Sequence, residues 1–264
     1  MSDKEYRDLL YVEQDHVATI TLNRPERYNA IREGMYEEII DALMRAGWNK
    51  DIGVIVLTGA GGKAFCTGGD QGDKSKGRYG TGTLGVPVEI VHNTIRDVPK
   101  PVIAKVRGYA IGGGNVIATI CDLTIASETA VFGQVGPKVG SVDPGFGTAY
   151  LAQIVGEKKA REIWYLCRRY SAQEALDMGL VNTVVPDAEL DAEVDRWCAE
   201  ICERSPTALQ IAKSSFNAAT DNIRGVGRMG FEAVNLFYET EEAKEGGRAF
   251  REKRTPEFRA KRPG

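Results

Sequence analysis

Strand-like and helix-like segments alternate through the first half of the chain, and that alternation constrains the fold more than any other feature. From His16 to Leu22 polar and apolar residues alternate in a β-branched run that stops at Asn23-Arg24-Pro25, the pattern of a strand ending in a turn. From about Arg32 to Trp48 the apolar residues Met35, Ile39, Ile40, Leu43 and Ala46 recur at helical spacing, and the short apolar run Val54–Leu57 follows. The same order returns with a strand at Val102–Val106, a helix opening at Gly113–Thr119 and a strand at Leu123–Ala126. Apolar strands joined through helices predict βαβ-type units around a largely buried sheet. After Gly145 the pattern turns helical, with helices expected at about 146–155, 157–168, 172–178, 188–203, 207–219 and 226–245 and one strand-like interruption at Leu180–Val185. Pro99 and Pro101 mark a turn before a strand, and the basic stretch 251–262 reads as a solvated tail or a docking arm.

A chain of 264 residues can bury one substantial core. Its net charge of −3 gives no reason to expect nucleic acid or an anionic membrane as partner, so any phosphate it binds must be caught locally. The opening MSDKEYRDLL lacks the regions of a secretory signal, and no apolar run approaches the ~20 residues that span a bilayer. The expected location is the cytoplasm. Five cysteines without a CxxC pair, and histidines only at His16 and His92, support neither a disulfide framework nor a metal site. Cys198 and Cys202, four apart on an expected helix, read as small apolar groups.

Two glycine clusters follow strands: Phe65-Cys66-Thr67-Gly68-Gly69-Asp70 after Val54–Leu57, and Gly108-Tyr109-Ala110-Ile111-Gly112-Gly113-Gly114 after Val102–Val106. Glycine permits positive φ and close approach to a backbone amide, and the free N–H groups of a helix start favour an anion. Two such amides converging on one point would stabilise an oxyanion. Each cluster taken alone is equally a tight turn, and neither is a GxGxxG dinucleotide fingerprint.

Taken together, the stretches AFCTGGD, GYAIGGG, CDLTIAS and FGQVGPKVG resemble, in order and spacing, the crotonase (enoyl-CoA hydratase/isomerase) superfamily over nearly the whole chain. The resemblance implies an α/β fold, a ClpP-like spiral of ββα repeats over residues 1–200, with a helical C-terminal trimerisation region over 201–264. It also implies a homotrimer or homohexamer acting on an acyl-CoA, with the amides of Gly69 and Gly113 holding the thioester oxygen. The implied substrate-lining residues are Arg27, Ala30, Thr67, Gly68, Asp70, Gln71, Tyr79, Tyr109, Ile111, Gly112, Gln134, Val135, Gly136 and Lys253. Tyr79 lies in the Gly-rich stretch 72–85, whose composition suits a lid, offset by about one residue from the family's lid tyrosine. Tyr28 stands where synthases of the family tend to have arginine.

Hydratases of the superfamily carry glutamates in GGGxE and FGQPE, where this chain has Val116 and Gly136. Hydration of a double bond needs acid–base groups there, so the expected chemistry is different. The stretch from Gly133 to Gly145, with Arg161–Cys167 and Ala175–Pro186, resembles a narrower branch holding ring-opening 2-ketocyclohexanecarboxyl-CoA hydrolases and ring-closing 1,4-dihydroxy-2-naphthoyl-CoA synthases. Both pass through a thioester enolate. Thr67, the segment Gly85–Val98 and Asp143-Pro144-Gly145 favour the ring-opening enzymes, with the synthases as the alternative.

The branch implies Asp143 as the acid–base group, and Ser141 two residues earlier as a neighbour on the same side of an extended segment; otherwise Asp143 is a helix N-cap and Ser141 a turn serine. Tyr238 matches a branch tyrosine that reaches the site, expected from a neighbouring subunit, and is otherwise an interfacial tyrosine. No obligatory cofactor is implied, CoA being part of the substrate, although synthases with glycine at the position of Gly136 hold a bicarbonate beside Gln134 and Val135. A catalytically silent binder of acyl-CoA or RNA is the remaining alternative. The acidic net charge opposes RNA, and the paired glycine motifs with Asp143 oppose silence.

Overall fold

The computed structural model describes residues 5–70 and 87–259. It opens with an antiparallel hairpin of β1 (Leu9–Gln14) and β2 (Val17–Leu22), closed by Asp15 and His16 with φ of 49° and 65°. Two positive φ values in a two-residue loop match the twist of the flanking strands. Strand β1 has no counterpart in the sequence reading, because it lies at the sheet edge with Leu10 and Val12 exposed and so carries no inward alternation. After α1 (Met35–Trp48), β2 pairs in parallel with β3 (Val54–Gly59), which pairs with β5 (Val102–Val106), then β7 (Leu123–Ser127) and β10 (Thr183–Val185). A second sheet orders β4 (Ala64–Cys66), β6 (Tyr109–Ile111), β8 (Val131–Gly133) and the antiparallel β9 (Arg169–Ser171).

Each circuit of the chain thus gives one strand to each sheet and then a helix: β3-β4-α2 (Pro87–Asp97), β5-β6-α3 (Gly113–Ile120) and β7-β8-α4 (Gly136–Val139). This is the spiral of ββα repeats that the family resemblance implies. The βαβ reading from periodicity omitted the second sheet, whose three-residue strands are too short to show a period of two. Alternate residues of β3 face opposite ways. Ile55 and Leu57 enter the main core, while Val54 and Val56, with Ile103 and Ile125, meet Leu190, Val194 and Cys198 of α8 (Leu190–Cys202).

The remaining helices are α5 (Ala149–Val155), α6 (Glu157–Leu166), α7 (Ala172–Asp177), α9 (Pro206–Ala218), α10 (Asn222–Phe237) and α11 (Glu241–Arg251). The single helix expected over 226–245 is two. Thr240 accepts the Ala243 N–H at 3.2 Å and donates to the Phe237 carbonyl at 2.7 Å, ending one helix and starting the next. The strand expected at Leu180–Val185 shrinks to its last three residues because the N–H groups of Leu180 and Val181 both bond the Ala175 carbonyl at the end of α7. Lys213 fastens α9 to the spiral, donating to the carbonyls of Ile95 and Lys100 and to Asp122. Among the described residues no helix is long and apolar enough to cross a membrane.

Helix α10 crosses the Pro144-Gly145 turn at backbone contact. A Cβ at Gly230 would lie 2.3 Å from Pro144 Cβ, whereas one at Gly225 on the same helix meets nothing within 4 Å. Gly230→Ala is therefore expected to destabilise the protein by about 1–3 kcal/mol through overpacking. Gly225→Ala is expected to stabilise it by about 0.5–1 kcal/mol through helix propensity. Urea midpoints at constant slope measure both, and equal midpoints for the two variants would contradict the close crossing.

Candidate active site

Strand β4 ends at Cys66, and the chain turns through Thr67, Gly68 (φ +79°) and Gly69. Ile31 pins this turn: its N–H donates to the Gly68 carbonyl at 2.8 Å, and its carbonyl accepts from the Asp70 N–H at 2.7 Å. Strand β6 ends beside it at Ile111, Gly112 (φ 59°) reverses the chain, and Gly113 is the first residue of α3. Gly114 lets α3 rest on the end of β4, since a Cβ there would lie 2.0 Å from the Cys66 carbonyl oxygen. The two turns touch through their backbones: a Cβ at Gly68 would lie 2.7 Å from Gly113 N, and one at Gly113 would lie 3.9 Å from Gly69 N. Neither the Gly69 nor the Gly113 N–H donates to another described residue. At a helix start such amides carry partial positive charge.

These amides open on an inner chamber of about 60 Å³. Its walls include Thr67, Gly68, Gly69, Gly112, Gly113, Gln134, Val135, Gly136, Ser141 and Asp143, all singled out from sequence, and Tyr36, Val88, Val142, Trp164 and Phe231, which were not. A groove of about 900 Å³ adjoins it through Thr67, Gly69, Val135 and Val139. Arg27, Ala30, Asp70, Tyr109, Ile111 and Lys253 line this groove as expected. Gln71 and Tyr79 lie outside the described residues.

The groove is electropositive on grounds the sequence reading missed. Lys138, Arg169 and Arg254 join Arg27 and Lys253 there. They come from α4, β9 and the segment after α11, so no local motif gathers them. Arg169 sits over the Tyr109 ring at 5.3 Å. The segment after α11, read from sequence as a tail or docking arm, folds back so that Lys253–Pro256 form one wall. Glu245 fastens it by accepting from Arg248 and Arg254 and from the Glu257 N–H, contacts that hold the Glu245 carboxyl far below its ordinary range. Asp70 is bound between Arg24 and Arg27, 3.0 Å from each, which fixes the loop bearing Gly69.

Within the chamber the polar groups are few. The Asp143 side chain is only 13% exposed, and desolvation pushes its carboxyl up to about 7 against the opposing pull of the Gly147 N–H. Its Oδ1 has no hydrogen-bond partner among the described residues. Asp143 is not the N-cap of the following helical turn: that place falls to Pro144. Ser141 Oγ lies 2.7 Å from the Tyr238 hydroxyl of the same chain. The expectation that this tyrosine comes from a neighbouring subunit is thus corrected, and the reason is the close crossing at Gly230, which carries the end of α10 back over its own chain. Ser141 follows the helical turn Gly136–Val139, and it shares the chamber wall with Asp143 two residues on. The Gln134 side chain is buried, with neither amide atom partnered among the described residues.

Val116 and Gly136 stand where the resemblance implies glutamates in hydratases of the family. Val116 is fully buried. A Cβ at Gly136 would lie 2.6 Å from the Ser141 carbonyl oxygen and 2.9 Å from the Trp164 ring. Protein atoms therefore fill the side-chain space at position 136, and a glutamate there would not fit.

A model of the enoyl-CoA hydratase/isomerase family matches residues 12–261. Among solved structures, an enoyl-CoA hydratase from Mycobacterium avium subsp. paratuberculosis K-10 is 30% identical over 97% of this chain and 100% of that one, with a TM-score of 0.87. An enoyl-CoA hydratase/isomerase from Xanthobacter autotrophicus Py2 is 32% identical over 94% of each chain, with a TM-score of 0.82. One from Pseudoalteromonas atlantica T6c is 27% identical over 96% of this chain and 100% of that one, with a TM-score of 0.88.

Proposed function

The chain belongs to the enoyl-CoA hydratase/isomerase family, and on that premise we propose that it opens the ring of 2-oxocyclohexane-1-carboxyl-CoA by hydrolysis, giving pimeloyl-CoA. The observation that carries the reading is the exchange of acid–base groups. Positions 116 and 136 hold a buried valine and a glycine with no room for a side chain, while one largely desolvated carboxyl, Asp143, shares the chamber with the Gly69 and Gly113 amides. Those amides suit a thioester that becomes an enolate, and a lone carboxyl near neutrality suits a group that takes a proton and returns it.

In this reaction the CoA nucleotide lies along the basic groove and the ring enters the apolar inner chamber. Asp143 removes a proton from water as the water oxygen bonds to the ring ketone carbon. The bond from that carbon to the α-carbon breaks, its electron pair moving into the thioester. The enolate oxygen is held by the two amides, Asp143 returns its proton to the α-carbon, and the new carboxylic acid ionises. One water is consumed and the thioester is retained. Ser141 and Tyr238, hydrogen-bonded to each other, orient the ketone or the water. The same reading carries an assembly of three or six chains, for which Ile211, Phe216, Met229 and Leu236 on α9 and α10 offer exposed apolar side chains.

Incubating the protein with 2-oxocyclohexane-1-carboxyl-CoA and following products by mass spectrometry is expected to give the linear acyl-CoA, heavier than the substrate by one water. No product from it, with ring closure of O-succinylbenzoyl-CoA instead, would replace this reading by the synthase one.

A further inference from the structure

His92, on α2, stands beside Asp143 outside the chamber lining. Its Nε2 is 4.0 Å from Asp143 Oδ2. The imidazole is fully buried, with the rings of Phe146 and Phe231 at 6.0 and 6.2 Å, and neither ring nitrogen has a hydrogen-bond partner among the described residues. We propose that His92 is a positioning residue for Asp143: with its proton on Nε2, the neutral imidazole donates to the carboxylate, keeping it ionised and aimed at the attacking water. The proposal rests on the reading of Asp143 as the site's base.

Three features support it. First, α2 carries Glu89, His92, Asn93 and Arg96 at helical spacing on one face, and each has a buried polar atom without a partner. A helix side that served packing alone would be apolar, because each orphaned polar group costs free energy. Second, the two ends of this face are already tied. Glu89 pairs with Arg228 of α10 at 3.2 Å, and Arg96 donates to Thr220 at 2.7 Å while lying over the rings of Phe146 and Tyr150. The carboxylate that stands beside His92 is that of Asp143, 4.0 Å from Nε2. A buried N–H without an acceptor is rarer than a bare acceptor nitrogen, which places the proton on Nε2 and leaves Nδ1 bare. Third, burial pushes the His92 imidazole down to about 3, so at working pH it is a neutral donor and not a competing cation. Other titratable groups on the packed elements include Tyr36 of α1, which couples to Tyr238 and Asp143, and Glu232 of α10, which couples to Glu89, while Arg224 of α10 pairs with Asp97. At 4.0 Å the contact is longer than a direct hydrogen bond, and a small turn of either side chain, or a water beside both, completes it in the ligand-free protein.

The Asp143 carboxyl can be followed by 13C NMR in the ligand-free protein, with Asp143→Asn assigning its signal. His92→Leu is expected to raise its midpoint by about one pH unit, the equivalent of one lost hydrogen bond. His92→Gln, which keeps a donor, is expected to restore most of that shift. The acid limb of kcat/KM should move with the midpoint, whereas a merely structural loss would lower activity equally at every pH. An unchanged midpoint in His92→Leu overturns the proposal. Because that titration involves no substrate, it is separable from the base reading, which falls if Asp143→Asn turns over normally. Should His92→Leu not fold, the unsubstituted imidazole decides the matter. The chain has two histidines, so 15N-histidine labelling with His16→Gln isolates His92. At pH 8.5 the Nε2–H tautomer supports the proposal, and the Nδ1–H tautomer or an imidazolium overturns it.

Discussion

Asp143→Asn is expected to bind acyl-CoA as the unsubstituted protein does and to turn it over about 10²–10⁴-fold more slowly, the span that a positioned acid–base group contributes. The amide keeps the shape of the carboxyl and an oxygen for the Gly147 N–H, but it can neither take a proton from water nor return one to carbon. The carboxyl's burial matters here. An exposed aspartate near its ordinary 3.8 would be a weak base at neutral pH, whereas this one is pushed to about 7, where ionised fraction and proton affinity are both high. In the unsubstituted protein kcat/KM should accordingly climb with pH and level off above about 7, and the residual activity of Asp143→Asn should lack that limb. Ser141→Ala, which removes one hydrogen bond, should cost about tenfold or less. Full-time-course assays at several substrate concentrations separate kcat from KM. A kcat for Asp143→Asn within a few-fold of normal would remove Asp143 from the chemistry.

How much of this site is written locally in the chain is uneven. The glycine turns are legible because each is contiguous: strand, glycines and helix start follow one another within a few residues, and β5 falls at Val102–Val106 as its apolar run predicts. Asp143 is legible only through its neighbours in the FGQVG stretch. The basic groove is not, since Lys138, Arg169 and Arg254 come from separate elements and each alone looks like a solvated surface cation. His92 is likewise silent in sequence: its meaning depends on a helix face that packs on Asp143, half a domain further along. Tyr238 was placed in another subunit because nothing in its own segment reports that Gly230 lets α10 fold back over Pro144. One local signal went unread, since Thr240 followed by Glu241-Glu242-Ala243 has the composition of a helix start.

The second large effect concerns stability, and it follows from the opposite directions in which burial moves Asp143 and His92. Asp143 goes from an ordinary 3.8 up to about 7. Between those values the native state holds a proton that the unfolded chain has lost, so stability falls as pH rises through the window. His92 goes from 6.5 down to about 3. Between those values the unfolded chain holds the extra proton, so stability rises with pH. At about 1.4 kcal/mol per pH unit for each group, the two slopes oppose one another from roughly pH 4 to 6.5, and the pair contributes almost no net pH dependence there. Removing either partner unmasks the other. Relative to the unsubstituted protein, Asp143→Asn should gain about 2–3 kcal/mol in unfolding free energy between pH 4.5 and 6.5, and His92→Gln should lose about as much. Urea titrations at the two pH values, compared across the three proteins, cancel contributions from other groups. Parallel profiles for all three would mean that neither group titrates out of its ordinary range. The opposed slopes would instead show that the burial that fits Asp143 for work near neutrality is the same burial that makes its ionised form costly to the fold.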